Sequence, residues 1–107
     1  MALAHNELQA LRELKQMLEL RYQVRDLRVY GSKARGTDTE GSDVDVMIVL
    51  DHEAPGVMSE IDDMLFEINL RHDCLISAIV YFQRELVEGP LSESPLYKNA
   101  VREGIAL

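Results

Sequence analysis

The chain has 107 residues, 47% of them hydrophobic and 28% charged, with 19 acidic against 11 basic residues and a net charge of -8. These proportions fit one globular domain over residues 1–107, long enough to bury roughly two-thirds of its unfolded surface, and they exclude a disordered chain. The acidic balance repels phosphate backbones and argues against direct nucleic-acid binding, while the single cysteine, Cys74, excludes an internal disulfide and a two-cysteine zinc site. No apolar run approaches the roughly 20 residues of a membrane helix, and the N-terminus lacks the basic and apolar regions of a signal peptide. The expectation is a small acidic cytoplasmic domain with no membrane partner.

Leu8, Leu11, Leu14, Leu18 and Tyr22 recur at three- and four-residue steps and predict a helix over about residues 6–22, with Asn6 as its N-cap. Residues 25–30 read as a short strand in which Leu27 and Val29 alternate with Arg28 and Tyr30. It stops at Gly31-Ser32, after which Lys33-Ala34-Arg35 suits one helical turn closed by Gly36. A polar loop over residues 37–42 leads into a second strand over residues 43–50, whose later part is continuously apolar, as in a strand covered on both faces. Pro55 suits the first turn of a helix reaching about Arg71, with Val57, Ile61, Met64, Leu65 and Ile68 on its buried face. A third strand is expected over residues 73–82 and a last short helix over residues 96–103, stopped by Gly104. Strands alternating with helices predict a two-layer α/β domain, a small mixed sheet of about three main strands packed with helices.

The chemistry concentrates in Gly31-Ser32, ten further residues, and then Asp43-Val44-Asp45. In a strand, residues two apart project from one face, so both carboxylates point the same way about 7 Å apart along the chain. Aspartate is disfavoured in strands, yet two of them open the most apolar run of the sequence. Their repulsion is relieved by a divalent cation, and paired carboxylates completed by water and substrate phosphates are how Mg2+ is usually held. An isolated pair of this kind also occurs at the wet end of ordinary strands. Gly31 permits backbone angles and close approach that other residues forbid, and Ser32 presents a hydroxyl and backbone N–H groups to an anion. Lys33 and Arg35, just beyond, are placed to balance a triphosphate.

The run Gly-Ser-Lys-Ala-Arg-Gly-Thr-Asp-Thr-Glu-Gly-Ser-Asp-Val-Asp-Val, residues 31–46, resembles the signature of the DNA polymerase beta-like nucleotidyltransferases. It is most similar to their minimal branch, the MNT proteins, and the tail Pro-Leu-Tyr-Lys-Asn-Ala-Val-Arg-Glu-Gly also looks like tails of that branch. The resemblance implies attack on the α-phosphate of a nucleoside triphosphate with release of pyrophosphate. Gly31 and Ser32 would hold the β- and γ-phosphates, and Asp43 and Asp45 would bind two Mg2+ ions. Arg35 would offset charge on the leaving pyrophosphate, or else be a solvated loop arginine. The third carboxylate such enzymes carry on a neighbouring strand finds its candidate in Asp73, although aspartate is also common in helix-to-strand turns. Asp51, Asp62 and Asp63 fit that role less well. His5, His52 and His72 lie at no ligand spacing, and Cys74 reads as a small core residue.

The resemblance extends to a partner. Minimal nucleotidyltransferases are commonly paired with a HEPN-domain protein in toxin–antitoxin modules, and as the antitoxin this chain would transfer AMP from ATP to a tyrosine of a HEPN toxin. Two other readings stand beside it: a non-catalytic antitoxin that neutralises its partner by complex formation, and a small-molecule nucleotidyltransferase. The last requires an acceptor site that dimerisation would have to build, so a homo-oligomer stays open.

Overall fold

The structure is a computed structural model and describes residues 2–37 and 43–107. The first helix, α1 (His5–Arg21), buries Ala10, Leu11, Leu14 and Leu18 along one stripe, as their spacing requires. Its N-cap is Ala4 rather than Asn6: the Ala4 N–H donates to Glu7 Oε1 at 2.8 Å. Asn6 lies inside the helix and its Nδ2 donates to the carbonyls of His72 and Asp73, at 2.9 and 3.1 Å. β1 (Val24–Tyr30) follows, then the five-residue α2 (Gly31–Arg35), closed as expected by Gly36 in the left-handed conformation. Residues 38–42, most of the expected polar loop, lie outside the described residues.

β2 (Val44–Leu50) runs through the middle of a four-stranded sheet, between β1 and β3 (Ile76–Phe82), with the two-residue β4 (Ile105–Ala106) on the far side of β1. β2 is antiparallel to β1 and parallel to β3, the connection between the parallel strands being α3 (Val57–His72). Val44, Val46, Ile48 and Leu50 pack against α1 and α3, whereas Met47 and Val49 belong to a second cluster with Tyr81, Leu86 and Ala100. The continuous apolar run is thereby explained by burial on both faces, each such side chain contributing roughly 1.5–3 kcal/mol. The second face is covered by α4 (Gln83–Glu88), a 3-10 turn (Pro90–Glu93) and α5 (Pro95–Glu103). Only α5 was predicted; Gly104 ends it as expected, and β4 (Ile105–Ala106) then pairs with Arg28 and Val29 of β1.

The third strand begins at Ile76 rather than at Asp73. Asp73 is the C-cap of α3, in the left-handed conformation with φ 51° and ψ 53°, a geometry that a short polar side chain tolerates better than most. Asn69, in the last turns of α3, then fixes the start of the strand. Its Oδ1 accepts the Ile76 N–H at 2.8 Å and its Nδ2 donates to the Ile76 carbonyl at 3.2 Å. The Leu75 carbonyl faces β2, where it accepts the Val44 N–H, so the polar groups of Ile76 face the free edge of the sheet. Asn69 thus satisfies an edge that the ladder leaves open. Replacing Asn69 with leucine is expected to cost about 1–3 kcal/mol, read as a lower urea midpoint at unchanged slope.

Candidate functional site

The site forms at the end of the sheet where β1 stops and β2 starts. Because these strands are antiparallel, Tyr30, the last residue of β1, pairs with Asp45, and Gly31 turns away beside it. Gly31 has φ +73°, and a Cβ there would lie 2.7 Å from Asp45 Oδ2. A side chain at residue 31 would therefore press on the Asp45 carboxylate, and the positive φ favours glycine there as well. On its other side Asp45 pairs with Ser77 of β3. Asp43, exposed and just ahead of β2, has its Oδ2 accepting the Ser77 hydroxyl at 3.3 Å.

Asp45 alternates with Met47 and Val49 along β2 and so lies on the face covered by α4 and α5. Burial, and secondarily the charge of Asp43, push its carboxyl above the usual aspartate range. The Tyr30 hydroxyl is pushed up as well, first by burial and then by the negative charge of Asp45 and by Tyr81. A half-buried carboxylate beside a like charge is held at a cost, and a divalent cation would remove it. The groups gathered here, two carboxylates and a hydroxyl, are hard oxygen donors of the kind that suits Mg2+ or Mn2+. The residues present fit such an ion.

Gly31, Ser32, Asp43 and Asp45 are thus brought to one end of the sheet. Arg35 lies half-exposed at the end of α2 in an ion pair with Glu103 of α5, at 3.1 Å. Lys33 does not face the site: its Nζ lies 3.2 Å from Glu7 Oε1, and both side chains are about nine-tenths buried. The pair fastens α2 to α1, assisted by the Ala2 N–H, which donates to the Lys33 carbonyl at 2.9 Å. Replacing Lys33 with methionine leaves the Glu7 carboxylate with the Ala4 amide as a donor, and is expected to cost about 2 kcal/mol by thermal melting. The double variant Glu7→Gln/Lys33→Met should recover part of that loss.

Asp73 sits in the cap turn of α3, exposed, three residues before β3. Among the described residues no three His, Cys, Asp or Glu side chains gather into a group able to hold a metal ion. His72 is engaged elsewhere, with Nε2 2.6 Å from Glu13 Oε2. Sequence reasoning passed over Ser77 and Tyr30. The signal for Ser77 was slight: a short hydroxyl in the otherwise apolar run Ile-Ser-Ala-Ile-Val.

Residues 9–106 match the nucleotidyltransferase domain family. Among curated proteins, "Putative protein adenylyltransferase MJ0604" of Methanocaldococcus jannaschii is 32% identical over 104 residues, spanning 95% of this chain and 98% of that one. "Putative protein adenylyltransferase MJ1379" of the same organism is 35% identical over 95 residues, spanning 89% of this chain and 87% of its own. A solved chain described as "Structure of putative minimal nucleotidyltransferase" superposes with a TM-score of 0.61 at 24% identity, covering 94% of this chain and 92% of that chain, and so shares the fold.

Proposed function

Because the chain belongs to the nucleotidyltransferase domain family, we propose that it transfers AMP from ATP to a hydroxyl of a partner protein, with Mg2+ held at Asp43 and Asp45. The observation that carries this reading is the close approach of Gly31 to the Asp45 carboxylate, which sets the Gly31-Ser32 turn beside the carboxylate pair. The names of the two archaeal relatives favour a protein acceptor over a small molecule. The acceptor oxygen attacks the α-phosphorus, its bond to the β-phosphate oxygen breaks, pyrophosphate leaves, and the hydroxyl proton passes to solvent. When bound, Mg2+ supplies charge neutralisation on the α-phosphate and the leaving group.

The chain's own residues orient the reactants. Gly31 and Ser32 would receive the β- and γ-phosphates, and Asp43 and Asp45 would hold the cation. Arg35 serves the leaving pyrophosphate, since its exposed pair with Glu103 is worth no more than about 1 kcal/mol and yields to a polyanion. Asp73, exposed in the cap turn of α3, is given no role in this reading. The partner we propose is a HEPN-domain toxin, modified on a tyrosine, as the resemblance of residues 31–46 implies; the net charge of -8 suits a partner with a basic face.

The test uses ATP labelled on the α- or the γ-phosphate, Mg2+, and a lysate of the source cell or the purified partner. Label on one protein from α-labelled ATP only, absent with Asp43→Asn/Asp45→Asn, is the expected result. Label from γ-labelled ATP would mean phosphorylation and overturn the reading. A second reading, neutralisation by binding alone, is favoured by the carboxylate pair having no third acidic side chain gathered with it among the described residues. Toxin neutralisation that survives Asp43→Ala/Asp45→Ala would establish it.

A further inference from the structure

Ser77 lies beside both carboxylates of the pair. It is directly opposite Asp45 in the register of β2 and β3, its hydroxyl donates to Asp43 Oδ2 at 3.3 Å, and its side chain is exposed at the site rather than buried. A serine on a strand face is free to rotate to several partners. Here the register, set at the start of β3 by the two hydrogen bonds of Asn69 to Ile76, brings the hydroxyl to the Asp43 carboxylate. Asp43 precedes β2 and lacks the ladder on both sides that holds Asp45, so its orientation depends on what its side chain touches. We infer that Ser77 is a positioning residue for cation binding: its hydroxyl holds the Asp43 carboxylate toward Asp45.

This inference rests on the proposed cation-dependent reading of the same site and adds a specific consequence. The hydroxyl contributes no charge, so the pair alone supplies two negative charges to a cation. A carboxylate at position 77 would supply a third, and hard-cation affinity rises with the number of charged oxygen donors. Position 73, in the cap turn of α3, would not.

The experiment measures Mn2+ binding by the loss of the free-ion electron paramagnetic resonance signal, with and without α,β-methylene ATP, which cannot transfer AMP. Ser77→Ala is expected to weaken Mn2+ binding by three- to tenfold, Ser77→Thr to hold it within twofold, and Ser77→Asp to tighten it at least tenfold. Asp73→Asn, which keeps a residue suited to the left-handed turn, is expected to stay within twofold of wild type. Thermal melts verify that each variant is folded, and Ser77→Ala with Ser77→Thr decide the matter if Ser77→Asp does not fold. Equal Mn2+ affinity in wild type and Ser77→Ala, or a loss in Asp73→Asn as large as in Asp43→Asn, would overturn the inference. Wild-type protein that binds Mn2+ and the nucleotide analogue with no sensitivity to Ser77 removes this inference alone. Wild-type protein that binds neither removes the nucleotidyltransfer reading with it.

Discussion

Replacing Asp43 and Asp45 together by asparagine is expected to lower nucleotidyl transfer by at least about 10³-fold while raising the melting temperature of the cation-free protein. The first effect follows from magnitude. A divalent cation on a reacting phosphate supplies several kcal/mol of charge stabilisation, and each 1.36 kcal/mol is about tenfold in rate. The second follows from the same residues in the absence of the ion. Asp45 is held above its ordinary pKa by burial and by Asp43, so its charged form is destabilised in the folded chain. A folded carboxyl with a raised pKa keeps its proton at a pH where the unfolded chain has lost it. Stability of the cation-free protein therefore falls as pH rises from the ordinary value of 3.8 through the raised one, and levels above it. In the asparagine variant that segment of the pH dependence should be absent. Added Mg2+ should raise the wild-type melting temperature and leave the variant's unchanged. Parallel melting curves across pH would show that Asp45 is not held above its ordinary pKa, and an equal response to Mg2+ would show that the pair is not the cation site.

Those carboxylates were legible in the sequence because their pattern contradicts its surroundings: two charges open a strand that is otherwise fully apolar. The long helices and three main strands were legible for the complementary reason, since their hydrophobic periods are long enough to be read. What escaped depended on contacts between distant parts of the chain. Asn6 looks like a cap locally, but its amide is used by carbonyls at the far end of α3, 66 and 67 residues away. Lys33 reads as a phosphate ligand beside Gly31-Ser32, yet it is turned inward by Glu7, 26 residues earlier. α4 has six residues, too few for a period, and its entry is fixed by the Phe82 N–H donating to Glu85 Oε1 at 3.0 Å. β3 starts three residues later than the sequence suggests, because Asp73 takes the left-handed cap of α3 and Asn69 reaches forward to fix Ile76 at the start of the strand. Ser77 could be valued only once its register with Asp45 was known.

Two glycines of the same conformation allow backbone strain to be separated from contact at the site. Gly31 and Gly36 both have φ +73°, at the start and just past the end of α2. An alanine at either position meets the left-handed penalty, about 1–2 kcal/mol. At Gly36 a Cβ would meet nothing within 4 Å, whereas at Gly31 it would lie 2.7 Å from Asp45 Oδ2. Gly36→Ala is thus expected to lose stability and to keep transfer within a few-fold of wild type. Gly31→Ala is expected to lose a similar amount of stability and, in addition, at least about 100-fold in transfer, because the Asp45 carboxylate must move out of register with Asp43 and small misplacements at a reacting centre are that costly. The comparison is made by thermal melting and by transfer from α-labelled ATP. Equal transfer in the two variants would mean that the backbone at residue 31 can move without disturbing Asp45, and that the triphosphate does not lie against Gly31. A large loss in Gly31→Ala alone would place the phosphates and the carboxylate pair in one rigid unit, in which the absence of a side chain at residue 31 is as much a requirement of the chemistry as the two charges.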